Sequence, residues 1–124
     1  MTHQEIFDFV WTKLYEQGEQ SIERCDCRYR TTGGLKCAVG HLIPDDLYEE
    51  NMEGRTVRVI SEHYSLPSDV FNRYNEGFLN ELQAAHDSAG TINFLEHLAS
   101  QMRDIAVRMN LSHTIIPAGY GDTK

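Results

Sequence analysis

The sequence predicts one mainly α-helical domain over residues 1–124, with about five helices and one short β-hairpin near residues 26–37. Apolar residues recur at intervals of three and four along most of the chain, which is the period of an amphipathic helix. That period is interrupted between residues 25 and 35, where a Thr-Thr-Gly-Gly segment has the composition of a turn. A length of 124 residues, of which 40% are hydrophobic, suits one modest core.

The first predicted helix has sequence signals at both ends. Thr2 followed by Glu5 forms a capping-box pattern, and Gly18 is the type of residue that ends a helix. An apolar stripe at helical spacing lies between these signals and consists of Ile6, Phe9, Val10 and Leu14. We therefore predict that the first helix occupies the segment between the two signals.

The interruption after this helix predicts the hairpin. Residues 27–30 have the composition of a short strand, residues 31–34 that of a turn, and residues 35–37 form the returning strand. Residues 38–43 are expected to form one or two helical turns. These turns stop before Pro44, because the residue that precedes a proline avoids helical backbone.

Two shorter helices are predicted next. Asp45 or Asp46 caps a short helix that ends near Gly54. Another helix then runs up to Pro67, and its apolar face consists of Val57, Ile60 and Tyr64.

Two long helices complete the predicted domain. Ser68 caps the first, and Gly90 separates it from the second, which Thr91 caps. The apolar stripe of the first consists of Phe71, Tyr74, Phe78, Leu82 and Ala85. That of the second consists of Ile92, Leu95, Leu98, Met102, Ile105 and Met109. We expect residues 112–124 to form an extended or flexible tail.

The charge balance and the cysteine count restrict the classes of function. Eleven Lys and Arg against 19 Asp and Glu give a net charge of −8, so the surface repels a phosphate backbone and general nucleic-acid binding is disfavoured. No apolar run reaches membrane-spanning length, and the N-terminus lacks the apolar stretch of a signal peptide. We expect a cytosolic protein without membrane association, in which three cysteines, an odd number, argue against a disulfide scaffold.

A set of short blocks stands out between residues 25 and 90. The blocks are Cys27-Arg28-Tyr29-Arg30, Gly34-Leu35-Lys36-Cys37-Ala38-Val39-Gly40, Leu42-Ile43-Pro44-Asp45 with Tyr48, Met52-Glu53-Gly54, and Leu82-Gln83 with His86-Asp87. Together they resemble a family of small tailed-phage and prophage proteins, most of which carry the label hypothetical. The resemblance implies a phage origin and expression in the cytosol of a bacterial host. It implies no catalytic residues.

The cysteines raise the question of a metal site. Together with a nearby histidine they offer four ligands of the types that zinc prefers, namely Cys25, Cys27, Cys37 and His41. The Cys-x-Cys spacing of the first two is tighter than the usual Cys-x2-Cys arrangement, so we expect no metal and no cofactor. The alternative is that Cys27 and Cys37 pack as small apolar side chains while Cys25 is exposed.

Two enzymatic interpretations stay open as alternatives. In a small Cys/His hydrolase, Cys37 would be the nucleophile, activated by a helix N-terminus and by Lys36. Its base and the carboxylate that orients the base would come from His41, His86, Asp87 and Asp104. A His-Asp metal phosphohydrolase would instead use His63, His86, Asp87 and Asp104. We expect no catalytic residues, because nothing in the spacing places these groups together.

Recognition without chemistry is the leading interpretation. The predicted binding residues concentrate positive charge and one aromatic ring in an acidic chain, and they are Arg28, Tyr29, Arg30 and Lys36. In the alternative, the arginines pair with the surplus carboxylates while Tyr29 packs. We expect a non-enzymatic phage accessory protein that binds a host protein or a small anionic ligand, with antagonism of a bacterial defence system as a candidate role.

Overall fold

The computed structural model describes residues 1–120, and these residues are mainly helical. The helices are α1 (His3–Gln17), α2 (Val57–His63), α3 (Arg73–Ala89) and α4 (Phe94–Met109), and the antiparallel strands are β1 (Ile22–Glu23) and β2 (Asp26–Cys27). The predicted class, helical with one short hairpin, is confirmed. Over the described part of the chain there are four α-helices, and none is long and apolar enough to cross a lipid bilayer.

The predicted short helix after Pro44 does not form. Its first residues make turns in which the N–H groups of residues 47 and 48 bond to the Pro44 carbonyl, and a 3-10 turn follows at Glu50–Met52. Intrinsic propensity alone does not stabilise a helix this short, so tertiary contacts decide its conformation. Its apolar residue Met52 is fully buried instead, through tertiary contacts. Residues 38–43 likewise form only a 3-10 turn, at Gly40–Leu42.

Helix α1 follows its sequence signals. The Thr2 hydroxyl accepts a hydrogen bond from the Glu5 N–H, and the Glu5 carboxylate accepts one from the Thr2 N–H. Gly18 ends the helix in the left-handed conformation, with φ 77°. The buried face consists of Ile6, Phe7, Val10, Trp11 and Leu14, whereas Phe9 of the predicted stripe is only partly buried.

The hairpin lies nearer the N-terminus than predicted. Strands β1 and β2 are joined by a two-residue loop, Arg24-Cys25. Both loop residues have positive φ, 53° and 70°, which a type I′ turn requires and which Asn-Gly usually supplies. The pairing predicted across residues 27–37 is reduced to one bridge between Arg30 and Lys36.

Helix α3 starts later than predicted. Its cap is Asn72, whose side-chain oxygen accepts a hydrogen bond from the Asn75 N–H. The predicted cap, Ser68, belongs to a turn in which the Val70 and Phe71 N–H groups bond to the Pro67 carbonyl. Because Val70 and Phe71 are both buried, this turn adds core contacts that a longer helix would not provide.

Helix α4 packs against α3 in the most extensive contact between helices. Its N-cap is Asn93, in the left-handed conformation with φ 55°, rather than the predicted Thr91, so the helix starts at Phe94. Ile92, which was expected in the apolar stripe, is therefore outside the helix and 77% exposed. The later positions of the stripe follow the prediction, and Leu98 and Met102 are fully buried.

The segment after α4 returns to α1. The Gln4 side chain exchanges two hydrogen bonds with the main chain of Ser112, Ile116 is buried, and the Tyr120 ring packs edge-on against Trp11. The tail predicted over residues 112–124 lies partly outside the described residues, which end at residue 120.

The start of α3 gives a stability prediction. Replacing Asn72 with Ala removes the acceptor for the Asn75 N–H, so the free energy of unfolding should fall by about 1 kcal/mol. The Ser68→Ala control removes a side chain that caps nothing, and should change stability by less than about 0.5 kcal/mol. Urea denaturation of both variants measures this. Equal losses would contradict the observed helix start.

Candidate functional site

A single carboxylate organises the loop between β2 and α2. Glu53 accepts hydrogen bonds from the Tyr29 N–H (2.9 Å), the Arg30 N–H (3.0 Å) and the Tyr48 hydroxyl (2.6 Å). The Tyr29 hydroxyl donates to the carbonyl oxygen of Arg55, which closes the same loop from its other end. These bonds tie the segment after β2 to the segment before α2.

The first half of this loop turns over a close main-chain contact. The Cys37 N–H donates to the Tyr29 carbonyl at 3.2 Å, and a Cβ atom on Gly40 would lie 2.0 Å from the same oxygen. Only glycine fits there. Cys37 is fully buried, accepts a hydrogen bond from the Gly40 N–H on its sulfur, and has its pKa raised to about 12, chiefly by burial. This thiol is inaccessible and protonated, which removes it as a nucleophile in the folded protein.

Two of the predicted binding residues are cations that lie inside this loop and are paired. Arg28 donates to Glu50 and lies 3.5 Å from Glu23, whereas Arg30 lies 2.8 Å from Asp45. The exposed fractions of the two arginine side chains are only 23% and 14%. An anion would have to displace a carboxylate to reach either guanidinium.

The other two predicted binding residues, Lys36 and Tyr29, are also engaged in contacts within the protein. Lys36 lies 3.1 Å from Asp45, so this carboxylate serves two cations. Tyr29 is 7% exposed and belongs to the core. The arrangement is the alternative considered from sequence, with paired cations and a packed ring, and anion binding by these four residues stays a prediction.

The predicted zinc ligands are dispersed. Cys25 is exposed and Cys37 is buried, as the packing alternative predicted, but Cys27 is exposed rather than packed. His41 is half-buried, with its Nε2 3.1 Å from the Gln17 side-chain oxygen. Over residues 1–120, no three of the four predicted ligands bring their donor atoms within 4.8 Å of one another. The predicted phosphohydrolase set is likewise not assembled in the described chain, because His63 and Asp104 do not join His86 and Asp87.

A different cluster brings together Cys27, His86 and Asp87, whose donor atoms lie within 4.8 Å of one another. The fully buried His86 accepts a hydrogen bond from the Ser21 N–H on Nε2 at 3.0 Å. Its ring proton is therefore on Nδ1, which donates to the Asp87 carboxylate at 2.8 Å. Sequence reasoning singled out Cys27 and the His-Asp pair separately, but no local signal connects them.

This cluster is poorly suited to hold a metal ion. A metal on Nδ1 would require the ring proton to leave, while Nε2 still faces the N–H of Ser21. The imidazole would have to become an anion or abandon a buried main-chain donor, and both are costly. That leaves Cys27 and Asp87 as ligands, fewer than a zinc site uses.

The cluster is also poorly suited to nucleophilic catalysis. Burial, followed by the negative charge of Asp87 and a hydrogen bond to it, raises the pKa of Cys27 to about 11. The thiol therefore stays protonated, and the His86 lone pair that could take its proton points at Ser21 instead.

An open cleft of about 290 Å³ lies beside this cluster. One wall is the loop that precedes α2, contributing Glu53, Gly54, Arg55, Thr56 and Val57. The other wall is a face of α3, contributing Asn80, Gln83, Ala84 and Asp87, and residues 27–29 complete the lining. Arg55 also lines a second cavity of about 420 Å³, together with Glu49, His63 and Tyr64. What the site offers chemically is a solvent-open recess lined by both polar and apolar groups.

Thiol reactivity should distinguish the three cysteines. Cys25 and Cys27 are both exposed, so access alone does not separate them. At pH 8, a pKa of about 11 leaves about one Cys27 side chain in a thousand as thiolate, so alkylation by iodoacetamide should be slower at Cys27 than at Cys25. Buried Cys37 should react only on unfolding. Asp87→Asn removes the neighbouring charge, so we expect Cys27 to react several-fold faster. Mass spectrometry of the labelled peptides measures each site, and rapid labelling of wild-type Cys27 would refute the assignment.

His41 should contribute to the pH dependence of stability. Burial and then the charge of Lys36 lower its pKa from 6.5 to about 4. The unfolded chain takes up this proton near pH 6.5 and the folded chain does not, so stability present above pH 6.5 is lost as the pH falls towards 4.

The comparison of wild type with His41→Gln isolates this effect. Glutamine keeps a donor for the Gln17 oxygen but does not titrate. Between pH 7.5 and pH 5, the free energy of unfolding should fall by about 1 kcal/mol more in the wild type than in the variant. This figure allows for solvent screening of a half-buried ring. Urea denaturation at both pH values gives the difference, and parallel losses would show that His41 is not responsible.

Comparison of the chain with protein-family models, with curated proteins and with solved structures finds no match. The fold and the cleft are therefore described from the chain's own residues. The resemblance of residues 25–90 to small phage proteins stays a prediction.

Proposed function

We propose that this chain is a small phage or prophage accessory protein that performs no chemistry and binds a host protein in the bacterial cytosol, with antagonism of a defence system as the role to be tested. The observation that carries the proposal is that the side chains best suited to act as a nucleophile or a base are buried, protonated or already hydrogen-bonded. Cys37 is buried, the Cys27 pKa is raised, and His86 has both ring nitrogens bonded within the fold.

The surface around the cleft supports binding rather than turnover. The cleft is open and lined by both polar and apolar groups, and the carboxylates in its lining, Glu53 and Asp87, are already hydrogen-bonded to neighbouring residues. Such a recess can contact a partner surface, whereas an enzyme needs an activated nucleophile or a proton donor and acceptor poised near neutral pH. The net charge of −8 favours a partner with a basic or mixed surface.

The test is reconstitution with a partner identified in cells. The tagged chain is expressed in a bacterial host, the co-purifying protein is identified, and its binding to the purified chain is measured by calorimetry. We expect a saturable complex whose affinity and effect on the host are unchanged in Cys27→Ser. Loss of the host effect in that variant with binding intact would show thiol chemistry, and the absence of any saturable partner would refute the binding role.

A further inference from the structure

Of the charged residues that line the cleft, one is not committed to a partner within the described chain. Arg28 is paired with Glu50 and Glu23, and the Glu53 carboxylate accepts three hydrogen bonds. Asp87 accepts hydrogen bonds from His86 and Gln83. The remaining charged residue of the lining is Arg55, which has no carboxylate within 4.0 Å of its guanidinium among residues 1–120.

Arg55 is nevertheless held in place. Its Nε donates to the carbonyl oxygen of Asn51 at 2.8 Å, which leaves the two terminal nitrogen atoms without a partner among the described residues. Its own carbonyl oxygen accepts the Tyr29 hydroxyl, so the main chain beneath the side chain is tied to the core. Such an oriented guanidinium presents a fork of donors towards solvent.

The opposite wall of the cleft carries a second free donor. Asn80 is exposed on α3, and its side-chain amide has no hydrogen-bond partner in the described chain. Both polar atoms of the Gln83 side chain, one turn further along α3, are already hydrogen-bonded. The oxygen accepts the Val39 N–H, and the nitrogen donates to Asp87. The free groups of the two walls are thus a guanidinium and a primary amide.

We propose that this cleft binds a carboxylate carried on a peptide, with Arg55 as its charged partner and Asn80 contacting the adjoining peptide group. A guanidinium fork matches the two oxygens of a carboxylate. One free positive charge balances one carboxylate. A doubly charged phosphate would also meet the negative field of Glu53 and Asp87, which line the same cleft. The proposal rests on the proposed function and specifies the chemistry that the host partner presents.

The test is an NMR titration of the purified full chain with two carboxylate probes. N-acetylglutamate N-methylamide carries a side-chain carboxylate in a peptide context, and N-acetylglycine carries a chain-end carboxylate. We expect saturable shifts of the Arg55 Nε–H and of the Asn80 side-chain amide. The carboxylate probe that binds more tightly shows whether the partner presents an acidic side chain or a C-terminus. The uncharged control, N-acetylglutamine N-methylamide, should produce no saturable shift.

Two matched variants decide the assignment. Arg55→Ala keeps the main-chain carbonyl that accepts the Tyr29 hydroxyl, and it should lower the affinity for the carboxylate probe by at least about tenfold. Arg73→Ala removes another exposed arginine, which does not line the cleft, and should leave the affinity unchanged. Equal weakening in both variants, no saturable shift with either carboxylate, or tighter binding of inorganic phosphate would overturn the proposal. A host partner that binds Arg55→Ala as tightly as wild type would refute the proposal and leave the proposed function standing.

Discussion

The carboxylate of Glu53 is the interaction on which the loop region depends. It accepts two main-chain N–H groups and one tyrosine hydroxyl, and hydrogen bonds to a charged group contribute about 1.5–3 kcal/mol each. The residue is partly buried, so the main-chain donors of Tyr29 and Arg30 would have no equally good substitute. The loop wall of the cleft, including Arg55, takes its position from this clamp because the Tyr29 hydroxyl holds the next turn.

Helix α3 supplies the partners that the irregular segment 20–40 lacks. This segment has few strand hydrogen bonds of its own, and its buried N–H groups must still be satisfied. Gln83 accepts the Val39 N–H and His86 accepts the Ser21 N–H, whereas the Gln20 amide donates to the carbonyl oxygen of His86 near the end of the helix. The polar residues on this face of α3 thus act as a substitute for a neighbouring strand.

The sequence predicts the regular helices well because their signals are local. The capping box at Thr2 and the glycine at residue 18 act within one helical turn, and both are found as expected. The start of α3 is predicted wrongly because Ser68 is a good cap by composition, whereas the burial of Val70 and Phe71 depends on the rest of the core. The hairpin is displaced because its loop residues, Arg24-Cys25, carry no composition signal for positive φ.

The candidate site was less predictable because its contacts are distant in sequence. The bond between Ser21 and His86 joins residues 65 positions apart, and neither residue type specifies the other. That single bond nevertheless decides the chemistry of the cluster. A catalytic histidine needs a lone pair directed at the nucleophile and a proton on the other nitrogen held by a carboxylate. Here the carboxylate is in place at Asp87, but the lone pair is directed into the fold.

Cys27, His86 and Asp87 have the composition of a catalytic triad, yet their geometry does not activate the thiol. With Nε2 of His86 bonded to the main chain, Asp87 accepts a hydrogen bond from the His86 ring and stays beside the Cys27 thiol as a negative charge. Burial is the largest cause of the rise in the thiol pKa to about 11, and the neighbouring negative charge of Asp87 adds to it because it opposes ionisation of the thiol. Residue identity and proximity are therefore not sufficient for reactivity. The direction of one lone pair, set by a main-chain N–H far away in sequence, determines whether the three groups can act as a catalytic unit.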